Sequence, residues 1–346
     1  MPRLTDAVPA GRTELRSRFR IDLGEYVTAL GMDMLGTQCM VGLGDGRLVS
    51  LDPASGQERF TVEAHREGLL GLSLSPDGRH ILTCGQDTSA RLWTNTGVLL
   101  RELPGGGQAS VDHVAWSPIG SKFATASGRH VRVWSVEGDP LVETAPLAST
   151  VSALAWRYDG TGVAAACYGG VHILPLVHGA RARHLPWKGS LVSLAWSPDA
   201  KVIACGSQDC SVHFWRLASG KDSEMTGYSF KPRALSWDFE SKLLATSGHA
   251  TITVWDFRGK GPEGSTPLQL DAHQGLCTQL AFSPRRALLA SGSQDTSVLL
   301  WAPRRGTKPS GYGFLGDEVT ALCWHPTEDT LLAADASGCI CAFAAS

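Results

Sequence analysis

Short apolar runs bounded by turn residues recur along the chain, and no stretch carries the spacing of an amphipathic helix. HILTCG (80–85), KFATAS (122–127), GVAAAC (162–167), KVIACGS (201–207), KLLATSG (242–248), ALLASGS (287–293) and TLLAAD (330–335) are such runs. SPDG (75–78), SPIG (117–120), RYDG (157–160) and SPDA (197–200) each precede one; Pro presets φ for a type I turn and Asp or Gly completes it. Before each turn stands a strand-like segment ending at an anchor: Met32, Leu74, Trp116, Trp156, Trp196, Trp237, Phe282 and Trp324, spaced by 40 to 45 residues. A third run follows a second turn and ends at Trp93, Trp134, Trp215, Trp255 or Trp301, with Leu51, Leu174 and Phe343 there in units 1, 4 and 8. A polar fourth segment, such as LLRELPG or TPLQLDA, completes the unit. Four short strands joined by tight turns predict one antiparallel sheet per repeat. Such a sheet cannot bury both faces alone, but radial stacking lets each cover its neighbour.

GQDTSARLW (85–93), SQDCSVHFW (207–215), SQDTSVLLW (293–301) and ITVWD (252–256) carry a resemblance to the WD40-repeat β-propellers over essentially the whole chain. The resemblance implies an all-β propeller of four-stranded antiparallel blades. Eight units predict eight blades; the alternative is seven, with unit 1 as an appendage because it lacks both signature tryptophans. GDGRLVSLD (44–52) nevertheless fits the second turn and third strand. The expected organisation is a flexible tail over 1–12 and one domain over 13–346. Its units cover about 24–64, 65–107, 108–146, 147–187, 188–228, 229–272, 273–316 and 317–346 plus 13–22. The last unit stops after its third strand. Leu15, Phe19 and Ile21 alternate with Arg16, Arg18 and Arg20, so residues 13–22 are expected to supply the missing strand and close the ring.

The resemblance also implies a buried hydrogen-bonded tetrad of loop His, strand-two Ser or Thr, turn Asp and strand-three Trp. By offset these are His65, Thr83, Asp87 and Trp93 in unit 2, and His273, Ser291, Asp295 and Trp301 in unit 7. Unit 5 has Cys205, Asp209 and Trp215 but Trp187 in place of His, and unit 6 has Tyr228 there. That pair could either form an aromatic rim or pack where the His would. A His–Ser–Asp set invites a nucleophile, but the tryptophan would occupy the hydroxyl, so the structural role is expected.

Composition narrows the function. Lys plus Arg is 31 against 33 Asp plus Glu, a net charge of −2, without the basic footprint of a nucleic-acid or membrane-surface binder. No apolar run of ~18 residues and no signal-peptide core is present, so cytoplasmic residence is expected. The nine cysteines lack a CxxC pair and read as buried thiols, with Cys323, His325, Cys339 and Cys341 the nearest approach to a metal cluster. Gly105–Gly107 is not followed by the residues of a phosphate loop. No cofactor and no catalytic residue are assigned.

The expected function is a non-catalytic, monomeric scaffold for unidentified proteins or peptides. The alternatives are a metal-handling accessory using Cys and His, or an enzyme using the central channel. The family's usual site is the end bearing the loops into strand one and the turns after strand two. Here that rim would show Arg66, Glu67, Gln86, Arg129, Tyr168, Lys188, Gln208, Lys231, Arg233, His249, Gln274 and Gln294. At the opposite end Arg258, Lys260, Arg285, Arg286, Arg304, Arg305 and Lys308 form a candidate basic patch for an acidic partner, or simply a solvated edge.

Overall fold

The computed structural model describes residues 13–259 and 261–345; the expected tail, Lys260 and Ser346 lie outside the described residues. The strands form eight four-stranded antiparallel blades arranged in a ring. Unit 1 is a full blade, built from Val27–Met32, Cys39–Leu43, Arg47–Leu51 and Glu58–Glu63, so the eight-bladed expectation holds. In blade 4 the second and third strands run together as Gly162–Pro175. This hairpin bends at Gly169 (φ 92) and Gly170 (φ 131), backbone angles that glycine adopts without a Cβ clash.

The ring closes tightly around its axis because large residues meet small ones. The residue two before each anchor is Leu in seven units and Val114 in the other, while the residue one before is small. Leu154 and Ala115 pack against one buried cluster, and so, in their own clusters, do Leu194 and Ala155, Leu235 and Ala195, and Leu322 and Ala281, each pair drawn from adjacent blades. At Gly31 a Cβ would stand 2.7 Å from Leu72 Cδ1, so this seam has no room for one. The anchor tryptophans also stitch blades together. The Nε1–H groups of Trp156, Trp196 and Trp324 donate to the carbonyls of Ala115, Ala155 and Ala281 at 2.8, 3.3 and 2.8 Å.

Arg16–Asp22 pairs antiparallel with Cys339–Ala344 and completes blade 8, as the alternation of its residues suggested. Two details correct that expectation. Thr13–Glu14 leaves blade 8 and adds as a parallel fifth strand to Pro309–Phe314 of blade 7. The register also slips between Ser17 and Phe19, so Arg18 bulges out. Leu15 therefore packs with Phe343 and Trp324 at the blade 7–8 seam, whereas Phe19 and Ile21 join Val49 and Leu51 at the blade 8–1 seam. A bulge inserts one residue and reverses the side on which the following residues fall, which a period of two cannot anticipate.

Candidate functional site

The two sets found by offset are assembled inside their blades. In blade 2 Trp93 Nε1–H donates to Thr83 Oγ1 (3.0 Å), which is 2.9 Å from His65 Nε2, while His65 Nδ1 is 2.8 Å from Asp87 Oδ1. One assignment of hydrogens satisfies every group: Thr83 O–H donates to Nε2 and Nδ1–H donates to Asp87. In blade 7 Trp301 donates to Ser291 (2.8 Å), and Ser291 lies 2.7 Å from His273 Nε2. There Ser297 is inserted, 2.8 Å from His273 Nδ1, and its hydroxyl donates to Asp295 (2.5 Å). His65, Thr83, His273 and Ser291 are buried. A nucleophile needs an exposed, free hydroxyl, and these are enclosed and engaged.

The carboxylates of these sets also hold the rim loops. Asp87 Oδ2 accepts the Arg66 amide at 3.1 Å and Asp295 Oδ2 accepts the Gln274 amide at 2.6 Å. Burial pushes the Asp87 carboxyl up, but hydrogen bonds from His65, the Arg66 amide and Ser89 outweigh it and bring it down to about 2. Burial depresses His65, which favours the neutral ring that this network requires. Blade 8 uses Asp335 for the same task without a His. Fully buried, it accepts the amides of Gly316 (2.9 Å) and Asp317 (3.2 Å). Sequence reasoning missed Asp335 because no histidine marks its loop.

Trp187 and Tyr228 do not make an aromatic rim. Tyr228 OH sits 2.7 Å from Thr246 Oγ1 and receives Trp255 Nε1–H at 2.7 Å, so the phenol stands in for the imidazole. Burial pushes it up to about 12, leaving it a neutral hydrogen-bonding group. Trp187 lies with its ring 3.9 Å from that of His213, which in turn meets Trp215 edge-on.

Of the expected rim residues, Arg66, Glu67, Gln86, Arg129, Tyr168, Lys188, Gln208, Arg233, His249, Gln274 and Gln294 are exposed and Lys231 is half-buried. Sequence reasoning missed Tyr26 and Phe230, exposed aromatics in the same set of loops. The basic cluster at the other end is largely neutralised. Arg258 pairs with Asp256 (2.5 Å), Arg286 with Asp329 (2.8 Å), and Arg304 with Asp238 (2.9 Å) and Glu240, while Arg285 donates to the Thr327 carbonyl. Arg305 and Lys308 are exposed.

All nine cysteines are free thiols. Burial pushes Cys323 up to about 12 and Cys339 to about 11, so both are neutral thiols. Among the described residues no group of three or more His, Cys, Asp and Glu is placed to hold a metal ion.

The molecule is thus an eight-bladed β-propeller whose polar sets fix its own loops. The repeat family described as "WD domain, G-beta repeat" matches residues 56–94, 97–135, 182–216 and 264–302, so WD40 repeats are found at four positions of the chain. Each match takes in the outer strand of one blade and the three inner strands of the next. The chain is 24% identical over 265 residues to Actin-interacting protein 1 of Caenorhabditis elegans, covering 74% of this chain and 43% of that protein. It is 23% identical over 289 residues to Autophagy-related protein 16 of Arabidopsis thaliana, covering 81% of this chain and 56% of that one. The chain spans about half the length of the curated relatives it matches. The crystal structure of the computationally designed Ika8 protein superimposes with a TM-score of 0.80 at 20% identity, over 96% of this chain and 99% of that one.

Proposed function

We propose that this protein is a non-catalytic, cytoplasmic platform that presents loops from a stiff ring to partner proteins or peptides, with its principal site on the polar rim. The observation that carries the reading is the use made of the reactive groups. His65, Thr83, Asp87, His273, Ser291 and Asp295 are bonded to one another inside the blades, and the two carboxylates hold the amides of Arg66 and Gln274 in the rim. The rim is polar and mixed in sign, which suits selective pairing with a complementary surface. Nine free thiols fit a reducing compartment, and no helix is long and apolar enough to cross a membrane among the described residues.

The test is affinity capture with the wild type and with Arg66→Glu plus Arg233→Glu, two exposed rim positions. Captured partners should be lost with the doubly substituted rim while its melting temperature is unchanged. Partners retained undiminished would place binding elsewhere.

A further inference from the structure

We propose that the loop over residues 226–234, where blade 6 meets blade 5 on the polar rim, docks a short acidic segment of a partner protein that also carries an apolar side chain. The inference rests on the rim reading above and narrows it to one sector. The loop runs for nine residues between Asp222–Met225 and Leu235–Trp237, against five for the loops into blades 2 and 7 (64–68 and 272–276). It carries Phe230, Lys231 and Arg233. Lys188, in the loop into blade 5, and His249, in the second turn of blade 6, belong to the same sector and are exposed.

The loop is long but fixed at two points. Tyr228, bonded to Thr246 and Trp255, pins its first half inside blade 6. Ser193 of blade 5 donates its hydroxyl to the Pro232 carbonyl at 2.9 Å, and Pro232 is buried. Between the two pins Phe230 is 39% exposed, with its ring edge-on to His249 at 6.4 Å. An apolar ring left in water by a pinned loop is stabilised when something covers it. A loop fixed before binding also loses little conformational freedom on docking.

Charge decides what covers it. Among the described residues Lys188, Lys231 and Arg233 enter no ion pair, whereas Arg258, Arg286 and Arg304 at the opposite end are each paired. Asp209, the one carboxylate in the rim loops of blades 5 and 6, accepts the Ser211 hydroxyl at 2.7 Å. Three uncommitted cations beside an exposed ring fit carboxylates flanking an apolar side chain. The far side of the rim limits how long the anion can be. Blades 8 and 1 present Glu25, Asp45, Asp317 and Glu318, and among the described residues only Asp45 of these is in an ion pair, with Arg47 at 2.6 Å. Blade 1 stands opposite blade 5 in the ring of eight. A nucleic acid laid across the rim would meet those carboxylates, whereas a short acidic peptide ends before them.

The probe is a synthetic peptide, Glu-Asp-Leu-Asp-Glu, titrated calorimetrically into the full chain at low salt. Saturable binding that weakens as NaCl is raised is expected. Lys231→Ala plus Arg233→Ala should weaken it roughly tenfold, and Phe230→Ala, which keeps every charge, severalfold, both with an unchanged melting temperature. Replacing the peptide's Leu by Ser should cost as much as Phe230→Ala, and the two changes together no more than either alone. Arg66→Glu by itself, in blade 2, should bind the peptide as the wild type does. The proposal is overturned if the peptide does not bind at millimolar concentration, or if Lys231→Ala plus Arg233→Ala binds it undiminished. It is equally overturned if a Lys-Lys-Leu-Lys-Lys peptide binds as well, or if a single-stranded oligonucleotide competes as strongly as the peptide does. Each of those results leaves the rim reading standing, since that reading fails only when captured partners persist with Arg66→Glu plus Arg233→Glu.

Discussion

In blade 7 five groups form a hydrogen-bonded chain from Trp301 through Ser291, His273 and Ser297 to Asp295, and each depends on the next for its orientation. Asp295→Ala would orphan Ser297 and the Gln274 amide at once, so it should cost about 1–3 kcal/mol in urea denaturation. An unchanged midpoint would mean that the carboxylate is dispensable. Blade 2 makes the pH dependence of such a set explicit. Asp87 is held at about 2, below the ~3.9 of an unfolded aspartate, so its contribution is present above ~4 and lost as pH falls through about 2. His65 is depressed, so its contribution is full above ~6.5 and declines below that. The melting temperature should therefore fall as pH drops below ~6.5 and again below pH ~4, and the gap between wild type and Asp87→Asn should narrow toward pH ~2. A gap that stays constant would sink this account. The His, hydroxyl, Asp and Trp positions were legible because the repeat fixes their offsets. Ser297 and Asp335 were not, since their roles depend on where a side chain turns within its blade, which spacing does not encode.

At the level of the element, the closing strand repays attention because its pattern and its behaviour differ. Leu15, Phe19 and Ile21 read as one apolar side, yet they serve two seams because Arg18 is squeezed out of register. The bulged arginine itself contributes little. Its ion pair with Glu328 (2.7 Å) joins two exposed side chains, so Arg18→Ala should change stability by no more than ~0.5 kcal/mol. Deleting Arg18 should cost as little. It joins Ser17 directly to Phe19, whose partners Phe343 and Ala342 are already adjacent, so the ladder becomes regular while Leu15 and the pair Phe19 and Ile21 keep their seams. Chemical denaturation of the two variants checks this, and a deletion far more costly than Arg18→Ala would show that the strand's facing depends on the bulged residue itself. The short anchor strands posed the converse problem. Each tryptophan was legible as a repeat marker, but its donation to the preceding blade was not, because periodicity describes one blade and the bond belongs to two.

Across the whole molecule, charge decides what kinds of partner the ring can hold. The net charge of −2 gives no long-range pull toward a polyanion. A local patch could still act at short range, and the loops of blades 6 and 7 place several arginines near one another. Their surroundings cancel most of that field: Asp256, Asp329, Asp238 and Glu240 each lie against a guanidinium. Arg304 is partly structural, since it reaches from blade 7 to Asp238, a fully buried carboxylate of blade 6. Binding to a phosphate backbone would require breaking these pairs, which offsets the gain from the counterions released. The protein should accordingly leave a heparin column at low salt, and Arg304→Ala should lower stability while hardly moving the elution. Retention into high salt, falling away when Arg305 and Lys308 are replaced by Ala, would instead restore the basic patch as a binding site.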